Sequence, residues 1–319
     1  MTKSKNIKNF LIKTNDKWEA TFQDKFEESL LLFLTEKCNL NCQNCFMANK
    51  MGEKELSMDN IVSIIKNNKR FKKVDLMGGE PLLYSSINKL IKYLKEENKD
   101  ISLYTNGVLL NSIPENLMPL RVCISFYELE SSEASRKPLF EIADKIEKFR
   151  AKHKDNIIKL VLLLDETNYT NALDYINKVE DKFSWLKKIT IGLMRNEDDY
   201  WNDNIPGVLS FKKYAETVQM ILDNYDGKLD IDVFLKGVLT FGLDEENAEY
   251  DYRTNRFKCV FADMSYSECL FNAHLNTEQY LDANYELPKC LDTCQHTGKK
   301  KCIADKVRVL NRSNYGREK

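Results

Sequence analysis

Three cysteines, Cys38, Cys42 and Cys45, stand at C-x3-C-x2-C spacing in the segment Thr35-Glu36-Lys37-Cys38-Asn39-Leu40-Asn41-Cys42-Gln43-Asn44-Cys45-Phe46. Thiolates bind soft metals and iron–sulfur clusters, and three so close in sequence can wrap a single centre. A structural zinc site wants four ligands, and no fourth Cys or His lies nearby. A [4Fe–4S] cluster held by three cysteines keeps one iron open, which is what a catalytic cluster needs. Spacing alone leaves three readings: an iron–sulfur cluster, zinc, or incidental thiols. Two further segments, Gly78-Gly79-Glu80-Pro81 and Thr105-Asn106-Gly107, have the composition of tight turns.

Apolar runs at 30–34, 74–77, 101–104, 122–126, 160–164, 189–193 and 231–235 read as strands that would position these segments. Several are nearly continuously apolar, as parallel strands buried on both faces should be. Helical spacing falls between them. Ile61, Ile64 and Ile65 follow a Ser57 cap; Ile87, Leu90, Ile91 and Leu94 repeat at i, i+3, i+4, i+7; Leu173, Ile176 and Val179, and then Phe211, Tyr214, Ala215, Val218 and Leu222, do likewise. The alternation predicts βαβ units on a parallel sheet, with about six repeats where a full barrel has eight. The expected fold class is α/β, a partial (β/α)6 TIM-like barrel with a small cysteine-rich C-terminal domain. The expected division is an N-terminal extension over 1–25, the barrel over 26–240 and the cysteine-rich domain and tail over 241–319. Residues 244–251 form a dense acidic loop, and beyond them cysteines replace long apolar runs, the mark of a small unit stapled by metal or disulfide.

The 319 residues are 43% hydrophobic and 30% charged, with 48 Lys and Arg against 49 Asp and Glu for a net charge of −1. That balance argues against bulk binding to nucleic acid or to an anionic membrane. No uncharged apolar stretch reaches about 18 residues, and the N-terminus has no secretory core, so a soluble, cytoplasmic protein is expected. In that compartment thiols stay reduced, which turns the nine cysteines toward metal rather than disulfides.

The set CNLNC-x2-C, GGEPLL and TNGVLL, in this order and each at a strand's carboxyl end, resembles the radical S-adenosylmethionine (SAM) superfamily, over most of the chain. The resemblance implies that Cys38, Cys42 and Cys45 hold a [4Fe–4S] cluster whose open iron binds the amino and carboxylate groups of SAM. It implies a SAM site lined by Gly78, Gly79, Glu80 and Pro81, with backbone close to the methionine group at the glycines and the Glu80 carboxylate beside the ammonium. Asn106 and Ser125 match positions that approach the SAM ribose or carboxylate. Position 44, commonly aromatic in the family, is Asn here, and Phe46 is the aromatic placed to serve the adenine. The implied activity is reductive cleavage of SAM to a 5′-deoxyadenosyl radical that abstracts a hydrogen from substrate, fed by a one-electron donor such as flavodoxin or ferredoxin.

Cys259, Cys269, Cys290, Cys294 and Cys302, at spacings x9, x20, x3 and x7, look like the SPASM and twitch extensions of that superfamily. The match is partial, and five thiols suit one auxiliary [4Fe–4S] cluster with one thiol left over. A zinc knuckle is the alternative for this segment. Cys123 shares a strand face with Ser125 and is either a small core residue or a hydrogen donor to a substrate radical. The loop 195–203, with its carboxylates and aromatics, is a candidate substrate rim. The favoured function is modification of a ribosomally made peptide by epimerisation, thioether formation or carbon–carbon crosslinking. The rivals are a radical SAM dehydrogenase or epimerase acting on a small molecule such as an aminoglycoside, and a non-enzymatic, zinc-stapled binding protein.

Overall fold

The computed structural model describes residues 29–42, 45, 47, 50–118, 120–130, 138–152, 155–186, 189–193, 209, 211–227, 229–231 and 257–267. Phe46, Cys269, Cys290, Cys294, Cys302 and the loop 195–203 lie outside the described residues. The chain divides into two compact units, one spanning 26–160 and 255–290, the other 161–254 together with the two ends of the chain. The division falls within β5 (Ile157–Leu164).

In the first unit β1 (Ser29–Phe33), β2 (Lys73–Met77), β3 (Asp100–Thr105) and β4 (Arg121–Phe126) pair in parallel in that order. The expected strands are all present: β2 and β4 start one residue earlier, β3 is longer by one residue at each end, and β1 is shifted by one, ending at Phe33 rather than Leu34. Register decides which side chains share a face. Leu30, Leu32, Val74, Leu76, Leu103, Val122 and Ile124 line up on one face and are fully buried. By alternation the opposite face carries Leu31, Asp75, Ser102, Arg121 and Cys123.

Helix α1 (Met58–Asn67) starts where Ser57 was expected to cap it: the Ser57 side chain accepts from the Asn60 N–H at 3.1 Å. It buries Ile61, Ile64 and Ile65, and α2 (Ile87–Glu96) buries Ile87, Leu90, Ile91 and Leu94. Helix α3 (Ala143–Lys152) has no counterpart in the sequence reading. Its ten residues bury only Ala143, Ile146 and Phe149, too thin a stripe to stand out among its charges.

A further strand comes from beyond residue 241. β8 (Phe257–Val260) pairs in parallel with β1 and turns back through an antiparallel bridge to β9 (Tyr266–Ser267). It covers the β1 edge, which would otherwise offer unpaired backbone to other chains.

In the second unit β5 pairs in parallel with β6 (Ile189–Leu193), and β6 with β7 (Leu229–Ile231). Helix α4 (Ala172–Lys182) buries Ala172, Ile176 and Val179, and α5 (Phe211–Asn224) follows β6. Only Ile231 of the expected run 231–235 lies within β7; residues 232–235 are outside the described residues. All nine strands belong to one sheet that does not close on itself among the described residues, so the fold is an open α/β one, parallel apart from β9, as expected of a partial barrel. No described helix is long and apolar enough to cross a membrane.

Candidate active site

The cysteine loop leaves the carboxyl end of β1 and is tied down at its root. Thr35 bridges Glu55, and the Glu36 N–H donates to Lys54 O at 3.0 Å. Cys38, Cys42 and Cys45 are each half-buried and unbonded to another sulfur. The Leu40 N–H points at Cys38 Sγ (3.4 Å) and the Met47 N–H at Cys45 Sγ (3.3 Å). Amides aimed at sulfur tune the potential of any cluster those sulfurs hold. Among the described residues, no three His, Cys, Asp or Glu side chains gather closely enough to hold a single metal ion.

The turn after β2 docks onto that loop through backbone. Gly79 N–H donates to Thr35 O and Glu80 N–H to Lys37 O, both at 2.8 Å. A Cβ on Gly79 would stand 2.3 Å from Lys37 O, and one on Gly78 would stand 2.7 Å from Thr35 O. Gly78 also has φ +145°, where side chains are strained. The space a side chain would fill at both glycines is thus taken by the chain's own cysteine loop. Gly79→Ala is expected to cost about 2–4 kcal/mol, because the obstacle is backbone and cannot swing aside. Urea unfolding checks this; a loss under about 0.5 kcal/mol would contradict it.

Glu80 joins this turn to the one after β3. Its side chain is 1% exposed. Oε1 accepts from Thr105 Oγ1 at 2.7 Å and from the Leu82 N–H at 3.1 Å, and Oε2 accepts from the Asn106 N–H at 2.9 Å. Pro81 starts the short 3₁₀ turn Pro81–Leu83 that Glu80 caps. Gly107 follows with φ +81°, its N–H bonded to Thr105 Oγ1 at 3.0 Å. Asn106 is 5% exposed; its Nδ2 donates to Asn39 Oδ1 at 2.8 Å and its Oδ1 accepts from the Val108 N–H at 3.0 Å. The three segments singled out in the sequence therefore meet, and a buried carboxylate bridges two of them. Asn39 and Thr105 carried no assigned role at the sequence level. Their signal, a short polar side chain inside each quoted motif, was on view but mute about its partner.

Ser125 and Cys123 lie on β4, with Cys123 in register with Tyr104. Burial pushes the Cys123 thiol up to about 11, the nearby Lys159 pulling the other way. Asp75, on the same face, is likewise raised by burial and is paired with Lys73 at 3.3 Å. Because folding raises the Cys123 pKa, its contribution is fully present below the unfolded value near pH 9 and fades as pH climbs to about 11. At about 1.4 kcal/mol per unit for the full shift, wild type should lose about 2 kcal/mol relative to Cys123→Ala between those two pH values. Urea midpoints of the two proteins across that range test it; parallel curves would contradict it.

Cys259 is fully buried on β8, in register with Leu31, among Leu31, Phe33, Met47 and Phe261, with Cys45 and Met77 packed against the group. Phe261 stacks on Phe33 at 4.5 Å between centroids. Lys50, five residues past Cys45, reaches the hairpin turn: its Nζ lies 4.4 Å from the Phe261 ring and 3.3 Å from Ser265 Oγ. The first cysteine of the C-terminal group thus lies on the strand beside β1, and the other four are outside the described residues.

A parallel α/β fold with three interlocked loops at strand carboxyl ends, one bearing a cysteine triad, defines a class. Residues 32–176 match the family model of the Radical SAM superfamily. Among curated proteins it is 42% identical over 94 residues to "Probable GTP 3',8-cyclase" of Methanococcus maripaludis strain C6, covering 28% of this chain and 32% of that protein. It is 32% identical over 163 residues to GTP 3',8-cyclase of Clostridium perfringens, covering 46% of this chain and 50% of that one. The chain spans between a third and a half of the length of these relatives. Among solved structures, SuiB of Streptococcus suis bound to precursor peptide SuiA superposes with TM-score 0.67 at 12% identity, covering 89% of this chain and 67% of that one. The protein anSMEcpe with bound AdoMet gives TM-score 0.55 at 18% identity, covering 77% and 75%. At such identities these likenesses speak to the fold.

Proposed function

We propose that this protein is a radical SAM enzyme in which Cys38, Cys42 and Cys45 hold a [4Fe–4S] cluster. Bound there, the cluster would supply one electron for cleavage of the SAM sulfonium into methionine and a 5′-deoxyadenosyl radical, which would take a hydrogen from substrate. The observation that carries the reading is the Glu80 bridge, which fixes the Gly78–Gly79 and Asn106 turns beside the cysteine loop. Three half-buried thiols on one loop, two of them with backbone N–H groups turned to sulfur, are the donor set that would hold such a cluster. Gly78, Gly79, Glu80, Pro81, Asn106, Ser125 and Phe46 are the proposed SAM contacts.

The favoured substrate is a ribosomally made peptide. One fold likeness, covering 89% of this chain, is to SuiB, a protein whose solved structure holds a precursor peptide. The cyclase likenesses span 94 to 163 residues and support a second reading, in which the substrate is a small molecule such as a nucleotide. Cys123 is the proposed hydrogen donor, since a thiol that stays protonated to about pH 11 keeps its S–H bond through the working range. One auxiliary [4Fe–4S] cluster in 241–319, drawn from Cys259, Cys269, Cys290, Cys294 and Cys302, and a flavodoxin- or ferredoxin-type donor complete the proposal.

Anaerobic reconstitution followed by dithionite tests it. Brown protein releasing 5′-deoxyadenosine from SAM is the expected result; colourless or zinc-loaded protein would sink the reading. Adding GTP, an aminoglycoside or a candidate precursor peptide then separates the substrate classes by which one accelerates release.

A further inference from the structure

We infer that Asn39 is a positioning residue: through Asn106 and Glu80 it locks the cysteine loop to the turns after β2 and β3, so that the cluster and SAM are held as one unit. The inference rests on the radical SAM reading above.

The root of the cysteine loop is already held by backbone bonds from Gly79 and Glu80 to Thr35 and Lys37. Those bonds stop one residue before Cys38. Asn39 carries the attachment past that first cysteine, bonding at 2.8 Å to a residue 67 positions away. The direction of that bond is set by the rest of the network. The Asn106 amide must turn its oxygen to the Val108 N–H, which lies 3.0 Å away. Its Nδ2 is then left facing Asn39, which can answer only with an oxygen. The Asn106 backbone N–H is fixed in turn by Glu80 Oε2 at 2.9 Å, and the other Glu80 oxygen holds Leu82 and Thr105.

An unbroken run of bonds therefore leads from the residue beside Cys38, through the turn after β3, to the turn after β2. Cys38 itself sits against the next amide, Leu40 N–H to Cys38 Sγ at 3.4 Å, so the orientation of that sulfur is coupled to the peptide that Asn39 anchors. Groups that orient metal ligands without touching the metal typically change affinity by about 10–100-fold when removed. Asn39 is exposed and its bond to Asn106 is only part-buried, so truncating it opens the Asn106 Nδ2 to water rather than to a void, and the fold should tolerate the change.

The test compares wild type, Asn39→Ala and Asn39→Asp. In the metal-free full-length chain, amide hydrogen exchange at Leu40 and Val108 should quicken in Asn39→Ala, with the urea midpoint unchanged. Asn39→Asp keeps an oxygen to accept from Asn106 and should exchange like wild type. After reconstitution, Asn39→Ala should bind SAM about tenfold more weakly, an order typical of lost orienting contacts. Asn39→Ala exchanging like wild type, or Asn39→Asp exchanging like Asn39→Ala, would overturn the lock. Wild-type protein that takes up no iron and binds no SAM would instead overturn the radical SAM reading, and the exchange data on the metal-free chain would still judge the lock.

Discussion

Glu80→Ala is expected to destabilise the first unit by about 3–5 kcal/mol and to abolish detectable SAM binding. The carboxylate is 1% exposed and accepts from Thr105 Oγ1, the Leu82 N–H and the Asn106 N–H. Alanine leaves all three donors facing a void, and each buried donor without an acceptor costs about 1–3 kcal/mol. The losses overlap, because the two turns can relax toward one another once the bridge is gone. Glu80→Gln fills the same volume and keeps one oxygen, but turns an NH₂ toward a donor. Its penalty should be about half as large, with SAM affinity reduced rather than lost. Urea midpoints and titration of reconstituted protein with SAM measure both effects. Should Glu80→Ala remain as stable as wild type, Glu80 would not be the bridge between these turns.

Cys42→Ala is expected to have the opposite profile, little change in fold stability and complete loss of function. Cys42 is half-buried on a loop, so removing its thiol opens no large cavity. Cluster uptake depends on every thiolate, because the ligand set of a three-cysteine cluster has no spare. Reconstituted iron and sulfide at this site should fall from about four atoms each to near none, and 5′-deoxyadenosine release should drop to the background of dithionite alone. Cys38→Ala and Cys45→Ala should behave alike. A variant retaining both the iron and SAM cleavage would remove that cysteine from the ligand set. Glu80 thus builds the site, and the three cysteines would load it.

The strands were legible because a buried parallel strand is nearly all apolar, as in 74–77 and 122–126. Helices α1, α2 and α4 were legible by a different signal, large apolar residues recurring at i, i+3 and i+4. Helix α3 was not, since its three buried side chains, Ala143, Ile146 and Phe149, give a weak period among seven others. The hairpin of β8 and β9 was not either. Four residues containing Lys258 and Cys259 make no strand signal of their own, and they become a strand only beside the open edge of β1.

For the site, the local chemistry was carried by residue type and spacing: a thiol triad, a pair of glycines before Glu-Pro, and a Thr-Asn-Gly turn, each placed at a strand end. These are short-range facts, set within a dozen residues by sulfur's affinity for iron and by the freedom of glycine. What the chain does with them across 25 to 67 residues was decided only by folding. The bare edges of Gly78 and Gly79 face the cysteine loop, Glu80 holds Thr105 and Asn106, and Asn106 reaches Asn39. The physical reason is that a hydrogen bond specifies only a donor and an acceptor within about 3 Å. Every Asn and Glu in the sequence offers such groups, and only the register of three parallel strands brings these particular ones within reach.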